Sequence, residues 1–263
     1  MAQVKRYTSW VAVALLAVVV AAGAILWVVP DGAEPVPTLA TTTVTADPSK
    51  SGDSKSESQD SIAARPMLNV GQDWNPSVEV EATTEPLELP LATTKVNGWI
   101  DAGYPATPEG AVAQLASLNR AAYRNFDVDG GREVYTTFAM DGAVPIEGWS
   151  PTQQVMEWYA EYPNKDRSAV TASWQPRQGL IKGTTDGGRW ATVCVLGELT
   201  YSYNGESRTL GVPDCARMQW SAGQWRIAPG AEPSAPTVTW PRSENSYKAG
   251  YRDLTGGVPG GIS

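Results

Sequence analysis

The chain has 263 residues, 42% of them hydrophobic and 18% charged, with a formal net charge of −8 and no histidine. The lack of histidine excludes His-dependent triads, histidine general bases and most zinc sites. Residues 96–230 hold 11 Lys/Arg against 14 Asp/Glu without a basic stripe, which argues against phosphate-neutralising nucleic-acid binding by the folded part.

Lys5 and Arg6 lie in a short stub, residues 1–9, and residues 10–29 then run without a charge, WVAVALLAVVVAAGAILWVV. At about 1.5 Å per residue this stretch is about 30 Å long, the thickness of a bilayer core. Trp10 and Trp27 stand near its two ends, where indole rings favour the membrane interface. Basic residues precede it and Asp31 and Glu34 follow it, so the positive-inside rule predicts a cytoplasmic N-terminus and a C-terminal part outside, in a single-pass membrane protein. A cleavable signal peptide cut near Ala22-Gly23-Ala24 is the competing reading; it strands the apolar run Ile25 to Val29 at the new N-terminus and needs an unusually long apolar region.

Residues 30–94 are poor in aromatics and rich in Thr, Ser, Pro and charge. Such a segment buries too little apolar surface to offset its ordering entropy, and the expectation is a disordered tether. A short strand at Ser77 to Glu81, where Val78 and Val80 alternate with Glu, is the weak exception.

The folded region is expected over 95–230. Thr107 is a good N-cap, Pro108 suits the first helical position and Glu109 favours a helix N-terminus. Val112, Leu115, Ala116, Asn119, Ala122, Tyr123 and Phe126 then recur at helical spacing, with Gly130 and Gly131 as the predicted stop. A shorter helix is expected over Arg132 to Met140, and another begins at Ser150-Pro151 and ends before Pro163, with Val155, Trp158, Tyr159 and Tyr162 on its face. Strands follow over Ala169 to Trp174, Gly179 to Thr184, Trp190 to Tyr203, Ser207 to Trp220 and Gln224 to Ala228. Helices first and an antiparallel sheet afterwards is an α+β order: N-terminal helices packed on a curved sheet.

Asn204-Gly205 sits between two strand-like runs, which is the dipeptide a two-residue type I′ hairpin turn wants. If Tyr203 pairs with Glu206, counting outwards sets Cys194 across from Cys215, on a non-hydrogen-bonded pair where side chains approach closely. These are the only cysteines, and a cross-strand disulfide is the expectation, in keeping with an exported domain. Val193, Val195, Leu199, Tyr201 and Tyr203 share the core face, which leaves Cys194 on the wetter one. Pro213 introduces an open point, since a bulge there shifts the count before Cys215.

Residues 231–263 are expected to be a flexible tail. It carries a short helix from Ser243 to Leu254, with Tyr247, Tyr251 and Leu254 on one side and Glu244 four residues before Lys248. Asp127-Val128-Asp129-Gly130-Gly131 lacks the later ligands of a calcium loop, there is no Gly-Lys pair for a phosphate loop, and nothing implies a catalytic residue, a metal or a cofactor. The many tryptophans are expected in the core or around a concavity of the sheet.

From Trp99 to Ala228, with YPATPEGAVAQL opening the first helix and QWSAGQWRI closing the sheet, the sequence resembles the cone-shaped α+β fold of the nuclear transport factor family. The whole layout, from stub, span and Thr/Pro-rich tether to domain and tail WPRSENSYKAGYRDL, resembles bitopic proteins of conjugative elements in Gram-positive actinobacteria, whose functional analogues are inner-membrane assembly factors of type IV secretion. That resemblance implies a membrane-anchored extracytoplasmic scaffold of a conjugative transfer apparatus, which is not an enzyme and holds its own copies or other membrane proteins. The alternative class is a small-ligand-binding or enzymatic domain that uses the pocket of the same fold.

Overall fold

The computed structural model describes residues 58–124, 126–163 and 166–260. In chain order these form α1 (Gln59–Ala64), β1 (Leu87–Leu89), β2 (Thr94–Val96), β3 (Ile100–Ala102), α2 (Pro108–Tyr123), α3 (Val128–Phe138), α4 (Ser150–Glu161), β4 (Val170–Thr185), β5 (Trp190–Tyr203), β6 (Glu206–Ser221), β7 (Gln224–Ile227), α5 (Glu244–Lys248) and β8 (Arg252–Gly256). The architecture is α+β. Six strands in the order β1-β8-β4-β5-β6-β7 make one curled sheet, a half-barrel, and β2 with β3 makes a separate hairpin. All neighbours are antiparallel except β1, which runs parallel to β8.

α2 fills the concave face. Its cap is as the sequence predicts: Thr107 Oγ1 accepts from the Gly110 N–H at 3.1 Å and Pro108 occupies the first turn. Nearly every residue from Gly110 to Asn119 is buried, on all sides of the helix, because the sheet lies against one side while α3, α4 and the β2–β3 hairpin close the others. Gly110 is needed for this approach, since a Cβ there would stand 2.1 Å from the Pro105 carbonyl oxygen. The predicted stop is corrected. α2 ends at Tyr123, and Gly130 and Gly131 sit in the first turn of α3, whose cap Asp127 accepts from the Gly130 N–H at 3.1 Å. The aspartate cap restarts a helix where the glycine pair suggested an end.

Ser150 is the first residue of α4 and not its side-chain cap; Trp149 holds the cap position. Val155 and Tyr159 are buried as predicted, with Trp158 packed against the core. The two strands expected on either side of Pro176 are one long strand, β4, carrying register shifts at Pro176/Gln178 and Ile181/Gly183. Bulges absorb the proline and bend the strand without ending it.

The β5–β6 hairpin closes through Asn204 and Gly205, at φ 52° and 80°, and its register is Tyr203 with Glu206 and Cys194 with Cys215. Pro213 causes no bulge, for the pairing runs unbroken past Leu196 and Pro213. By the alternation of the ladder the Pro213 nitrogen points away from β5, so no inter-strand bond is lost.

The wet face expected for Cys194 is corrected. Cys194 is wholly buried and Cys215 nearly so, in a second small core with Leu196, Ala249 and Tyr251, against which Met67, Val70 and Leu180 pack. What covers it comes from segments expected to be disordered or flexible. Within 30–94, α1 lays Ile62 against Trp190 and Ala228, β1 joins the sheet, and the predicted strand at Ser77 to Glu81 is absent, with Val78 80% exposed. In the tail, Ser243 Oγ caps α5 by accepting from the Ser246 N–H at 3.2 Å. That helix stops at Lys248, Gly250 turns at φ 95°, and Tyr251 and Leu254 belong to the following strand region. Residues 1–57 lie outside the described part, including the predicted span 10–29 with Trp10 and Trp27. Among the described residues no helix is long and apolar enough to cross a membrane.

Candidate functional site

Among the described residues the concave face buries one acid. Register sets Asp214 opposite Val195 on the face that meets α2, and there its Oδ2 accepts from Asn119 Nδ2 at 2.8 Å. The same amide nitrogen donates to the Leu115 carbonyl, while Asn119 Oδ1 has no partner. Burial pushes the Asp214 carboxyl up to about 6, against the pull of the Asn119 bond, with the charge of Glu232 adding to the rise and the Cys215 backbone N–H opposing it. Tyr123, also on α2, is held well above the usual phenol range by burial first and by Asp214 second. Its hydroxyl donates to Gln154 on α4 at 2.9 Å, and Gln154 in turn donates to Ser150 Oγ at 3.1 Å.

A carboxyl titrating near neutrality beside a tyrosine is the raw material of acid–base chemistry. What it lacks is room. The void touching Asp214 is about 20 Å³, near the size of one water, whereas small-molecule sites are typically about 300–1,000 Å³. Tryptophans take up much of the space: Trp174, Trp190 and Trp225 are fully buried and Trp149 and Trp240 nearly so. The tryptophan excess is therefore mainly core. Gly197 shows how tight the fit is, because a Cβ there would stand 2.4 Å from the Trp174 ring.

Open concavities lie elsewhere. One, of about 630 Å³, runs between α4 and the far end of the β5–β6 hairpin and is lined by Phe126, Trp158, Tyr162 and Tyr201. Trp158 meets Phe126 edge-on at 5.4 Å and Tyr162 at 5.1 Å, and its indole N–H has no partner among the described residues. A second is a trough along β4, made of two adjoining hollows of about 410 Å³ each. Lys95, Arg120 and Arg124 line the first hollow, Arg124 and Arg167 the other. Arg124 stacks on Trp99 at 5.2 Å and Arg167 on Tyr159 at 4.5 Å.

Of the residues singled out from sequence, Cys194 and Cys215 are joined, with Cα atoms 4.0 Å apart. Trp10 and Trp27 lie outside the described residues. Among those described, no three His, Cys, Asp or Glu residues cluster so as to hold a metal. Asp214 was missed as a core residue because Gly211-Val212-Pro213-Asp214 resembles a bulge or turn. The hairpin count that pairs Cys194 with Cys215 puts Asp214 on the opposite, inward face, and that was the available signal. For the basic trough the signal was Arg120 and Arg124, four apart at the margin of the α2 apolar stripe.

No protein-family model matches the chain, and no curated protein matches it. Among solved structures, the intermembrane space region of the chloroplast protein ARC6 aligns with a TM-score of 0.27 and 10% identity, over 47% of this chain and 95% of that one. A likeness so slight assigns neither fold nor function here. None of these comparisons is a conjugative-transfer or secretion protein.

Proposed function

We propose that this protein is an extracytoplasmic scaffold, anchored in the cell membrane by residues 10–29 with its N-terminus in the cytoplasm, and that it works by holding other copies or other membrane proteins, not by catalysis. The observation that carries the proposal is the contrast between a filled interior, where Asp214 faces a void of about 20 Å³, and open troughs at the surface. The curled sheet packed on helices is the ground for placing the domain beside the cone-shaped nuclear transport factor family. The stub, apolar run, tether and domain order is the ground for placing it in a conjugative transfer apparatus.

Cross-linking in native membranes followed by mass spectrometry tests the reading. The expected result is cross-links from residues 58–260 to a second copy or to a co-encoded membrane protein; a monomer without partners at high local concentration overturns it. The raised Asp214 carboxyl favours the alternative, a ligand-binding or enzymatic pocket. Under the scaffold reading Asp214→Asn leaves partner capture unchanged, and loss of capture by a well-folded variant would favour that alternative.

A further inference from the structure

β4 has two edges, and one is only partly used. The β5–β6 turn makes Tyr203 and Glu206 a hydrogen-bonded pair, so the main-chain groups of Tyr203 and Tyr201 point to β6 and those of Ser202 and Thr200 point to β4. Val170 and Ala172 face Tyr203 and Tyr201, and Trp174 faces Leu199. The N–H and C=O groups of Val170, Ala172 and Trp174 are therefore turned away from β5, towards the outer edge. β8 takes that edge only at Gln178 and Gly179. From Val170 to Gln175, about 20 Å of strand, the Val170 N–H turns back to the Arg167 carbonyl, and no described residue bonds to the Val170 carbonyl or to the outward groups of Ala172 and Trp174.

The trough runs beside this stretch. Val170 and Thr171 line one hollow, Ala172 to Gln175 line the other, and Arg124 lines both. Lys95 is paired with Asp101 and Asp127 is engaged as the α3 cap. Arg120, Arg124 and Arg167 have no carboxylate partner among the described residues. In a chain of net charge −8, Lys95 and the three arginines outnumber Asp101 and Asp127 in the trough, a local reversal of sign beside an unpaired strand edge. Edge strands of this kind are a template for another strand.

We propose, building on the scaffold reading, that the β4 edge from Val170 to Gln175 captures an extended acidic segment of a partner protein as an added strand. The Val170 carbonyl and the main-chain groups of Ala172 and Trp174 supply the ladder. Because side chains alternate across a strand, acids at every second position of the guest face Arg120, Arg124 and Arg167, and the positions between them suit β-branched residues.

The probe is a labelled peptide of alternating valine and glutamate, titrated against the full-length protein in nanodiscs by fluorescence anisotropy. Saturable binding is expected, weakened by salt, with the alternating valine–lysine peptide at least about tenfold weaker. Ala172→Pro removes an outward N–H and leaves the β5 ladder intact; it and the double variant Arg120→Glu/Arg124→Glu should each weaken binding by about tenfold or more. Should a variant fail to fold, amide exchange on the wild type decides: the peptide must slow the Ala172 and Trp174 amides. Equal affinity for the two peptides, or unchanged exchange at those amides, overturns the proposal. A photo-cross-linker at Ser173 in native membranes names the occupant. An acidic partner segment supports the proposal, whereas residues 30–57 of the same chain or a second β4 overturns it. Partners cross-linked only away from Ser173 sink this inference alone, while the absence of partners anywhere sinks the scaffold reading.

Discussion

The two faces of the six-stranded sheet are covered by different means. On the concave face α2 brings Val112, Leu115, Leu118 and Tyr123 to Val193, Val195 and Trp174, regular helix against regular strand. On the other face the cover is irregular. Residues 58–70 and 234–251 cross the strands with most of their buried apolar side chains gathered in two small clusters, and donors from the sheet and from the neighbouring segment meet their carbonyls. Lys182 Nζ donates to the Ala63 carbonyl at 3.1 Å, Ser234 Oγ to that of Arg65 at 2.6 Å and Thr237 Oγ1 to that of Leu68 at 2.9 Å. Arg65 Nη1 returns the favour to the Lys182 carbonyl at 2.7 Å. A stretch too polar to form a core of its own becomes ordered when another surface satisfies its backbone.

The largest effect expected from breaking this contrast lies on the concave face. Trp174 is 1% exposed, stacks with Tyr123 at 6.4 Å between ring centroids, and donates its indole N–H to the Val212 carbonyl at 3.2 Å. Trp174→Ala should cost about 3–5 kcal/mol and unfold the domain cooperatively at lower urea. The counterpart on the other face is Cys194→Ala with Cys215→Ala. The bridge closes a separation of 21 residues, for which the loss of denatured-state restraint predicts about 3 kcal/mol. The buried cover predicts further that the bridge resists dithiothreitol in the native protein and becomes reducible when Tyr251→Ser opens the cluster above it. A native bridge reduced as fast as a surface one would show that the irregular cover does not exclude solvent.

Legibility followed the same division. Asn204-Gly205 fixes a register by local geometry alone, and from it Cys194 meets Cys215 and Asp214 turns inward without knowledge of the rest. Thr107-Pro108 is similarly local. Gly130-Gly131 misled because a glycine pair marks a helix end only when no cap follows, and Asp127 is such a cap. Asn97-Gly98, at φ 50° and 77° in the β2–β3 turn, repeats the hairpin signal between strands too short to show alternation. Residues 58–91 were illegible for another reason: their order comes from Lys182, Ser234, Val238, Arg242 and β8, all more than a hundred residues away, and no window of sequence contains both sides of those bonds.

Asp214 sharpens the comparison by placing a charge on the drier, regular face. In the unfolded chain its carboxyl titrates near the ordinary value of about 3.9, and in the fold near 6. Below the unfolded value both states hold the proton and nothing is gained or lost. Between about 4 and 6 the native state keeps a proton that the unfolded state has released, so stability falls as pH rises through that window. Above it the full penalty, on the order of 2–3 kcal/mol, persists. Asp214→Asn should then raise stability at pH 7 by about 2 kcal/mol, with the gain vanishing near pH 4. The new amide can also donate to the unpartnered Asn119 Oδ1. Denaturant midpoints measured from pH 4 to 8 decide this, and a wild-type curve rising across the window would refute it.

The smallest and most local effect is expected at Lys182, a buried lysine on the irregularly covered face. Burial lowers its ammonium below the usual range, with nearby Arg65 as the second cause. It is 7% exposed and its ammonium reaches both the Ala63 carbonyl and, at 2.8 Å, Ser234 Oγ. Lys182→Met keeps the aliphatic stem and removes the donor, stranding a buried carbonyl at about 1–2 kcal/mol. Because α1 and the 231–236 stretch meet the sheet through these bonds and one small apolar cluster, Ile62 with Trp190 and Ala228, the loss should appear as local opening and not as a lower global midpoint. The expected readout is faster amide exchange and proteolysis within residues 58–70, with α2 and β5 still protected. If α2 opened together with α1, the two faces would be one cooperative unit, and the irregular cover would be part of the fold's single core in energy although it is built by other means.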